Sequence, residues 1–337
     1  MARAYRASAF TLVELLVVVA IVGLLMALSL PAITAARESG RRAQCVNNLR
    51  QLGVALHNFE SAQQTFPPAY VSGHRQPYWI SHRDSLTWDA PPGWAWGALL
   101  APFLEESLPD GEAKWDEPFW SATHRAYVGR SLPVFLCPTV AGQRGPFEVV
   151  DKSEVPLRSD GRTIELGRSH YVASHGQEEC WADCSGPNGG FDGDVSRIAD
   201  GPFYRNSHTA TKDVRDGLSQ TIFLGEHTAR LSDKTWVGVV PGAFVHPRIE
   251  SPQNSAETAA TLVLVHSGPA AGERDPLGNP IIHPPNFPTL HVGQMQSDHY
   301  GGANVAMGDG SVRWIAEDIQ LASFAAMMSI AEKELLP

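Results

Sequence analysis

Basic side chains are the minority charge in this sequence. Lys and Arg number 26 against 36 Asp and Glu, a net charge of −10, whereas a nucleic-acid surface needs clustered cations over the phosphates. Pairs such as Arg41 with Arg42 are too short for that and read as solvated helix, so no nucleic-acid partner is expected. Catalytic signatures are also missing. There is no GxSxG elbow, no HExxH, no pair of CxxC motifs at zinc-finger spacing and no phosphate-cradling glycine loop. Adjacent Ser and His, as at Ser169 and His170, point apart on an extended chain and form no dyad. The expectation is a protein that is not an enzyme and that carries no cofactor, with calcium the one candidate.

Cysteine is scarce too. Cys45, Cys137, Cys180 and Cys184 are the four present, and they permit three complete pairings if the chain reaches an oxidising compartment. Cys180 and Cys184 are near enough for a local bridge, which would leave Cys45 for Cys137. The alternative is four reduced, buried thiols. Sequence does not choose between these.

One long apolar run is present, at the start. Residues 1–9 hold two arginines and no acid, and Phe10 to Ala36 carries a single charge, Glu14. The run exceeds the roughly 20 apolar residues that cross a bilayer. The leader arginines favour the cytoplasmic side, so the expected topology is a single pass through the cytoplasmic membrane, N-terminus inside and the rest periplasmic. Glu14 is the informative departure, because a carboxylate within a span costs about 2.5–3.5 kcal/mol on insertion scales and usually marks a function. The residues AFTLVE resemble the prepilin processing motif, in which a membrane peptidase cuts before a Phe and methylates the new terminus. That resemblance implies cleavage between Ala9 and Phe10 by a prepilin peptidase/N-methyltransferase. It also implies pairing of Glu14 with the terminal amine of a neighbouring pilin-like subunit, and a helix kink at Pro31. Ala9 departs from the Gly that usually ends such leaders.

After Pro31, Cys45, Leu49, Leu52, Leu56 and Phe59 recur at steps of four and three, one face of a helix. The expected organisation is a leader (1–9), a transmembrane helix (10–36), an amphipathic stem helix (37–68) and an extracytoplasmic domain (69–337). With 25 Pro and 30 Gly, the domain should be rich in loops and short strands. The sequence predicts a helix over 96–106, strands at 131–138, 221–224, 234–240 and 261–265, and a closing helix within 317–334. A hairpin motif is expected over 299–315, with Asp309 and Gly310 as a two-residue turn that pairs Met307 with Val312 and Val305 with Trp314.

Several stretches together, CVNNLRQLGVALHNFE, FPP, FLCP, YRNSHTATKDVRDGLSQTIFLGE and His299 followed after nine residues by Asp309 and Gly310, resemble the DUF1559 family of prepilin-type proteins with its H-X9-DG motif. The resemblance implies an α+β, pilin-like fold in which a long N-terminal helix packs on a mainly antiparallel sheet. It further implies a type II secretion or type IV pilus context, as a pseudopilin-like subunit.

Other candidates are weaker. Of 13 histidines, His175 with Cys180 and Cys184 is the best metal-like grouping, and a disulfide competes for its thiols. Asp192, Asp194 and Asp200 offer hard oxygen ligands suited to calcium, against a solvated acidic turn. Trp79, Trp88, Trp94 and Trp96 suit glycan or partner stacking, or burial under a loop. These features support the alternative function, a membrane-tethered module that binds glycan, peptide or calcium.

Overall fold

The computed structural model describes residues 11–73, 84, 89–104, 114–140, 142–178, 195–251, 254–268, 274–275, 277–279 and 281–331. Met1–Ala43 and Gln44–Pro337 are two separate compact units. Helix α1, Leu12–Gln63, contributes to both.

In the first unit, Thr11 and Glu14 close a capping box. Thr11 N–H and Oγ1 donate to Glu14 Oε2 at 2.9 and 2.7 Å, and Glu14 N–H donates back to Thr11 Oγ1 at 3.3 Å. Residues 11–37 are all exposed. An apolar, outward-facing helix of this length suits a bilayer, where only internal hydrogen bonding satisfies the backbone. The helix continues through Pro31, and the Thr34 hydroxyl donates to the Pro31 carbonyl at 2.9 Å.

In the second unit, Cys45, Leu49, Leu52 and Leu56 of α1 are buried and Phe59 packs beside them. The stem helix ends earlier than the expected residue 68. Gln64 turns left-handed (φ 64°) and its N–H closes on the Glu60 carbonyl at 2.7 Å, an αL stop.

The main sheet has five strands: β1 (Tyr171–Ser174), β2 (Ile222–Glu226), β3 (Leu264–Val265), β4 (Gly302–Met307) and β5 (Val312–Ala316). Their order is β3-β1-β2-β4-β5, with β3 and β1 parallel and the other neighbours antiparallel. This is the expected α+β class. Strand alternation sorts the core into two layers. Tyr171, Ala173, Leu224 and Ala306 join the layer containing α1. Val172, Val265, Val305 and Met307 join Phe324 and Met328 of the terminal helix.

Several local expectations are corrected. The hairpin register is shifted by one: Val312 faces Ala306, Arg313 faces Val305 and Trp314 faces Asn304. The cause is a longer turn. Gly310 N–H bonds the Met307 carbonyl at 2.9 Å, Gly310 lies at φ 80°, and Met307 N–H bonds the Ser311 carbonyl at 2.8 Å, giving a three-residue loop with an αL third position. The tract 131–138 is not a strand, because Pro133 has no N–H to give a ladder and starts the 3₁₀ turn Pro133–Phe135. Residues 234–240 form only isolated bridges, since Thr235 N–H goes to Leu262, Val239 N–H to Gly93, and the Val237 carbonyl to Ala95. The helix expected over 96–106 is α2 (Trp96–Leu100), continued only by a 3₁₀ turn containing Pro102, and residues 105–106 lie outside the described residues. A further short helix, α3, is Arg125–Val128. The strand expected over 261–265 shrinks to β3 after a 3₁₀ turn, Ala259–Leu262. The terminal helix α4 is Leu321–Met328, after which Ile330 N–H leaves for the Asp200 carbonyl and its own carbonyl receives Arg215 N–H.

The hairpin turn docks on α1. Gly308 and Asp309 N–H bond the Thr221 and Leu218 carbonyls at 2.9 and 3.1 Å, and a Cβ on Gly53 would stand 3.1 Å from Gly310 Cα. Gly53→Leu therefore overpacks backbone on backbone and should cost about 1–3 kcal/mol, read as a lower melting temperature of the full-length chain in detergent.

Candidate functional site

Cys45 and Asn48, Cys137, Glu226 and His299, each from a different quoted motif fragment, meet at one buried node. From α1, Cys45 bonds Cys137 with Cα atoms 5.3 Å apart, closing a sequence separation of 92. One helical turn later, the Asn48 amide donates to the Leu136 carbonyl at 3.2 Å and contacts the Tyr171 hydroxyl at 3.3 Å. Cys137 N–H donates to His170 Nδ1 at 3.1 Å, and His170 N–H returns to the Phe135 carbonyl at 2.8 Å. The 131–138 tract thus spends its backbone on α1 and β1 rather than on a ladder.

Beside the disulfide lies Glu226, the last residue of β2. Its Oε2 accepts from Ser297 Oγ at 2.8 Å and Asn304 N–H at 2.9 Å, and its Oε1 accepts from Asn304 Nδ2 at 2.9 Å. His299 Nε2 stands 3.6 Å from Glu226 Oε1 and 3.7 Å from Cys137 Sγ, and His299 N–H donates to Ser297 Oγ at 3.2 Å. Glu226 and His299 are both buried. Burial pushes the Glu226 carboxyl above its ordinary range, and His299 and the Asn304 donors oppose this. An oxidised Cys45–Cys137 pair has no thiolate for a metal, and the Glu226 oxygens are already engaged by donors. The node fastens the Gln44–Gln63 half of α1 to the sheet.

The other motif residues are structural as well. Asn206, left-handed at φ 57°, exchanges two hydrogen bonds with Ser72 at 2.7 and 2.8 Å, while Arg205 and the Tyr70 hydroxyl converge on buried Asp89. Asp309 accepts from Ser311 N–H at 2.9 Å and shapes the hairpin turn. His299 and the Asp309–Gly310 pair therefore act in different places: His299 at the node, the pair against α1.

Of the remaining sequence candidates, Ala9, Phe10, Cys180, Cys184, Asp192, Asp194, Trp79 and Trp88 lie outside the described residues. Trp94 and Trp96 are buried, Trp96 donating to the Val263 carbonyl at 3.3 Å. Asp200 is buried, and its Oδ1 accepts Gln177 N–H at 2.8 Å. A cleft of about 380 Å³ is lined by Pro91, Pro118, Trp120, Leu157 and Pro241, with Arg158 at its wall, and nothing in that lining selects a ligand.

With this geometry in view, comparison with known proteins adds two findings. A family model described as a protein of unknown function (DUF1559) matches residues 34–322. The chain belongs to the DUF1559 family. A second model, the prokaryotic N-terminal methylation motif, matches residues 5–30 of this DUF1559 protein. It marks a type IV pilin-like, prepilin-processed chain, which implies action by a prepilin peptidase and association with a membrane. No curated protein and no solved structure matches.

Sequence reasoning missed Glu226 beside His299 in the DUF1559 domain, and also the buried histidines His266, His283 and His291. The three histidines follow no metal-binding spacing, and the folding of the 281–294 segment back onto β3 brings them together.

Two outcomes follow for the node and its surroundings. Cys137→Ser should lower stability by about 2–4 kcal/mol, and the loss caused by a reductant should be smaller by about that amount in the Cys45→Ala/Cys137→Ala protein in the same denaturation assay. Asp200 supplies a pH signature. Burial raises its carboxyl from 3.8 to about 6, so its contribution is complete below about pH 4 and is lost as pH rises through 6. Stability measured from pH 4 to 7 should fall by more in the wild type than in Asp200→Asn.

Proposed function

We propose that this chain is a pseudopilin-like structural subunit of a type II secretion or type IV pilus-like assembly. Residues 10–36 hold it in the cytoplasmic membrane, with the leader inside and the domain on the periplasmic side. The observation that carries the reading is Glu14, the one charge in a run whose described residues, 11–36, are all exposed. In the single chain its carboxylate caps the helix that it begins. After cleavage before Phe10, the same carboxylate lies one turn from a new terminal amine, and a neighbouring subunit's amine offers the countercharge that an apolar medium demands. Burial of Trp94 and Trp96 and the local engagement of Asp200 lend no support to the alternative, a tethered glycan, peptide or calcium module.

Mass spectrometry of the mature protein should find methylated Phe10 at the N-terminus, and an intact Met1 would refute the processing route. Glu14→Ala should leave the chain in the membrane fraction but abolish crosslinking to neighbouring pilin-like subunits. Unchanged crosslinking would refute the assembly role.

A further inference from the structure

We propose that His266, His283 and His291 form a binding site for one first-row divalent transition metal, zinc-like in its preferences. Their ligand atoms lie within 4.8 Å of one another, and all three residues are buried. The scaffold is tight. His266, the residue after β3, donates its N–H to the Gly293 carbonyl at 2.9 Å, and His283 N–H donates to the Ser267 carbonyl at 2.6 Å.

The argument rests on which ring nitrogen each histidine turns inward. His266 Nδ1 faces the Gln177 carbonyl at 3.4 Å, and a carbonyl only accepts, so Nδ1 carries the proton and Nε2 a lone pair. His283 Nδ1 lies 2.8 Å from Thr289 Oγ1. That hydroxyl gives its own proton to Gln294 Oε1 at 3.0 Å, because Gln294 Nε2 is committed to the Phe287 carbonyl and Gln296 Oε1, both at 2.9 Å. His283 Nδ1 is therefore the donor and Nε2 the lone pair. His291 Nδ1 accepts Gly293 N–H at 3.0 Å, so its proton is on Nε2, which faces Glu257 Oε1 at 3.7 Å.

Two lone pairs, His266 Nε2 and His291 Nδ1, then face each other at 3.4 Å. Zn–N bonds of about 2.0–2.1 Å at the tetrahedral angle place two ligand nitrogens about 3.3–3.4 Å apart. Each outward nitrogen has a carbonyl, a hydroxyl or a carboxylate, the supporting shell that orients metal-binding imidazoles. Gly293 leaves the needed room, since a Cβ there would lie 3.0 Å from His291 Nδ1 and 3.1 Å from His266 Cδ2. A bound ion exchanges the Gly293 N–H contact on His291 for a coordinate bond. An all-imidazole donor set suits zinc, copper or nickel and not calcium, which takes oxygen ligands.

The test uses the full-length chain in detergent, freed of metal by a chelator and checked for a cooperative melting transition. Zn(II) is titrated against a chromophoric competitor, and Co(II) is followed by its visible absorption. One ion per chain should bind, with the intense Co(II) bands of four-coordination by three imidazoles and one water and a raised melting temperature, and Ca(II) should not saturate the site. His266→Gln and His291→Gln should each weaken Zn(II) by at least about 100-fold, and Glu257→Gln by about 10–100-fold. His57→Gln on α1 should leave the affinity unchanged. The proposal is overturned if the folded wild type binds no stoichiometric Zn(II), in which case a proton bridges the rings. It is equally overturned if the two histidine variants bind as tightly as the wild type.

Discussion

Helix α1 is fastened to its domain at one buried point, where the Cys45–Cys137 bond and the Asn48 amide grip the same short segment. A covalent bond and a hydrogen-bonded amide one turn apart fix both the rotation and the height of the Gln44–Gln63 half of the helix. That places Leu49, Leu52 and Leu56 in the core, and brings Gly53 against the backbone of the hairpin turn. Slippage of the helix by one residue would lose the amide contacts and drive side chains into Gly310.

The buried carboxylate at the same place adds specificity at a cost. Removing Glu226 from water is unfavourable, and it is offset by donors from Ser297 and Asn304 and by the nearby imidazole of His299. A half-satisfied network in such surroundings is worse than an apolar one, so β2, β4 and the 297–299 turn must all be in register for the node to hold. The H-X9-DG motif joins two such requirements. Its His completes the node at the near end of β4, and its Asp-Gly turn at the far end meets α1.

How much of this was legible depended on whether the information was local. The apolar run with Glu14 needs no tertiary context, and neither does the stripe from Cys45 to Phe59. The hairpin was also visible, but its register was not: Asp309 and Gly310 fit a two-residue turn as well as the three-residue loop that forms, and the difference moved Trp314 opposite Asn304. The tract 131–138 looked like a strand because it is apolar and bounded by prolines. It became a 3₁₀ turn because Asn48 and His170, distant in sequence, take its backbone groups. Residues 234–240 share that history, with partners on three different segments.

The sequence by itself determined the anchor and the helical stripe, which depend on the composition and period of contiguous residues, and it carried the processing signal and the α+β class through motifs that resemble known families. The tertiary structure alone decided that Cys45 meets Cys137, that His299 sits beside Glu226, and that His266, His283 and His291 converge. Those groupings join residues from separate loops. Whether loop residues meet depends on chain reversal and on competition among buried hydrogen-bonding groups, and no periodicity records either.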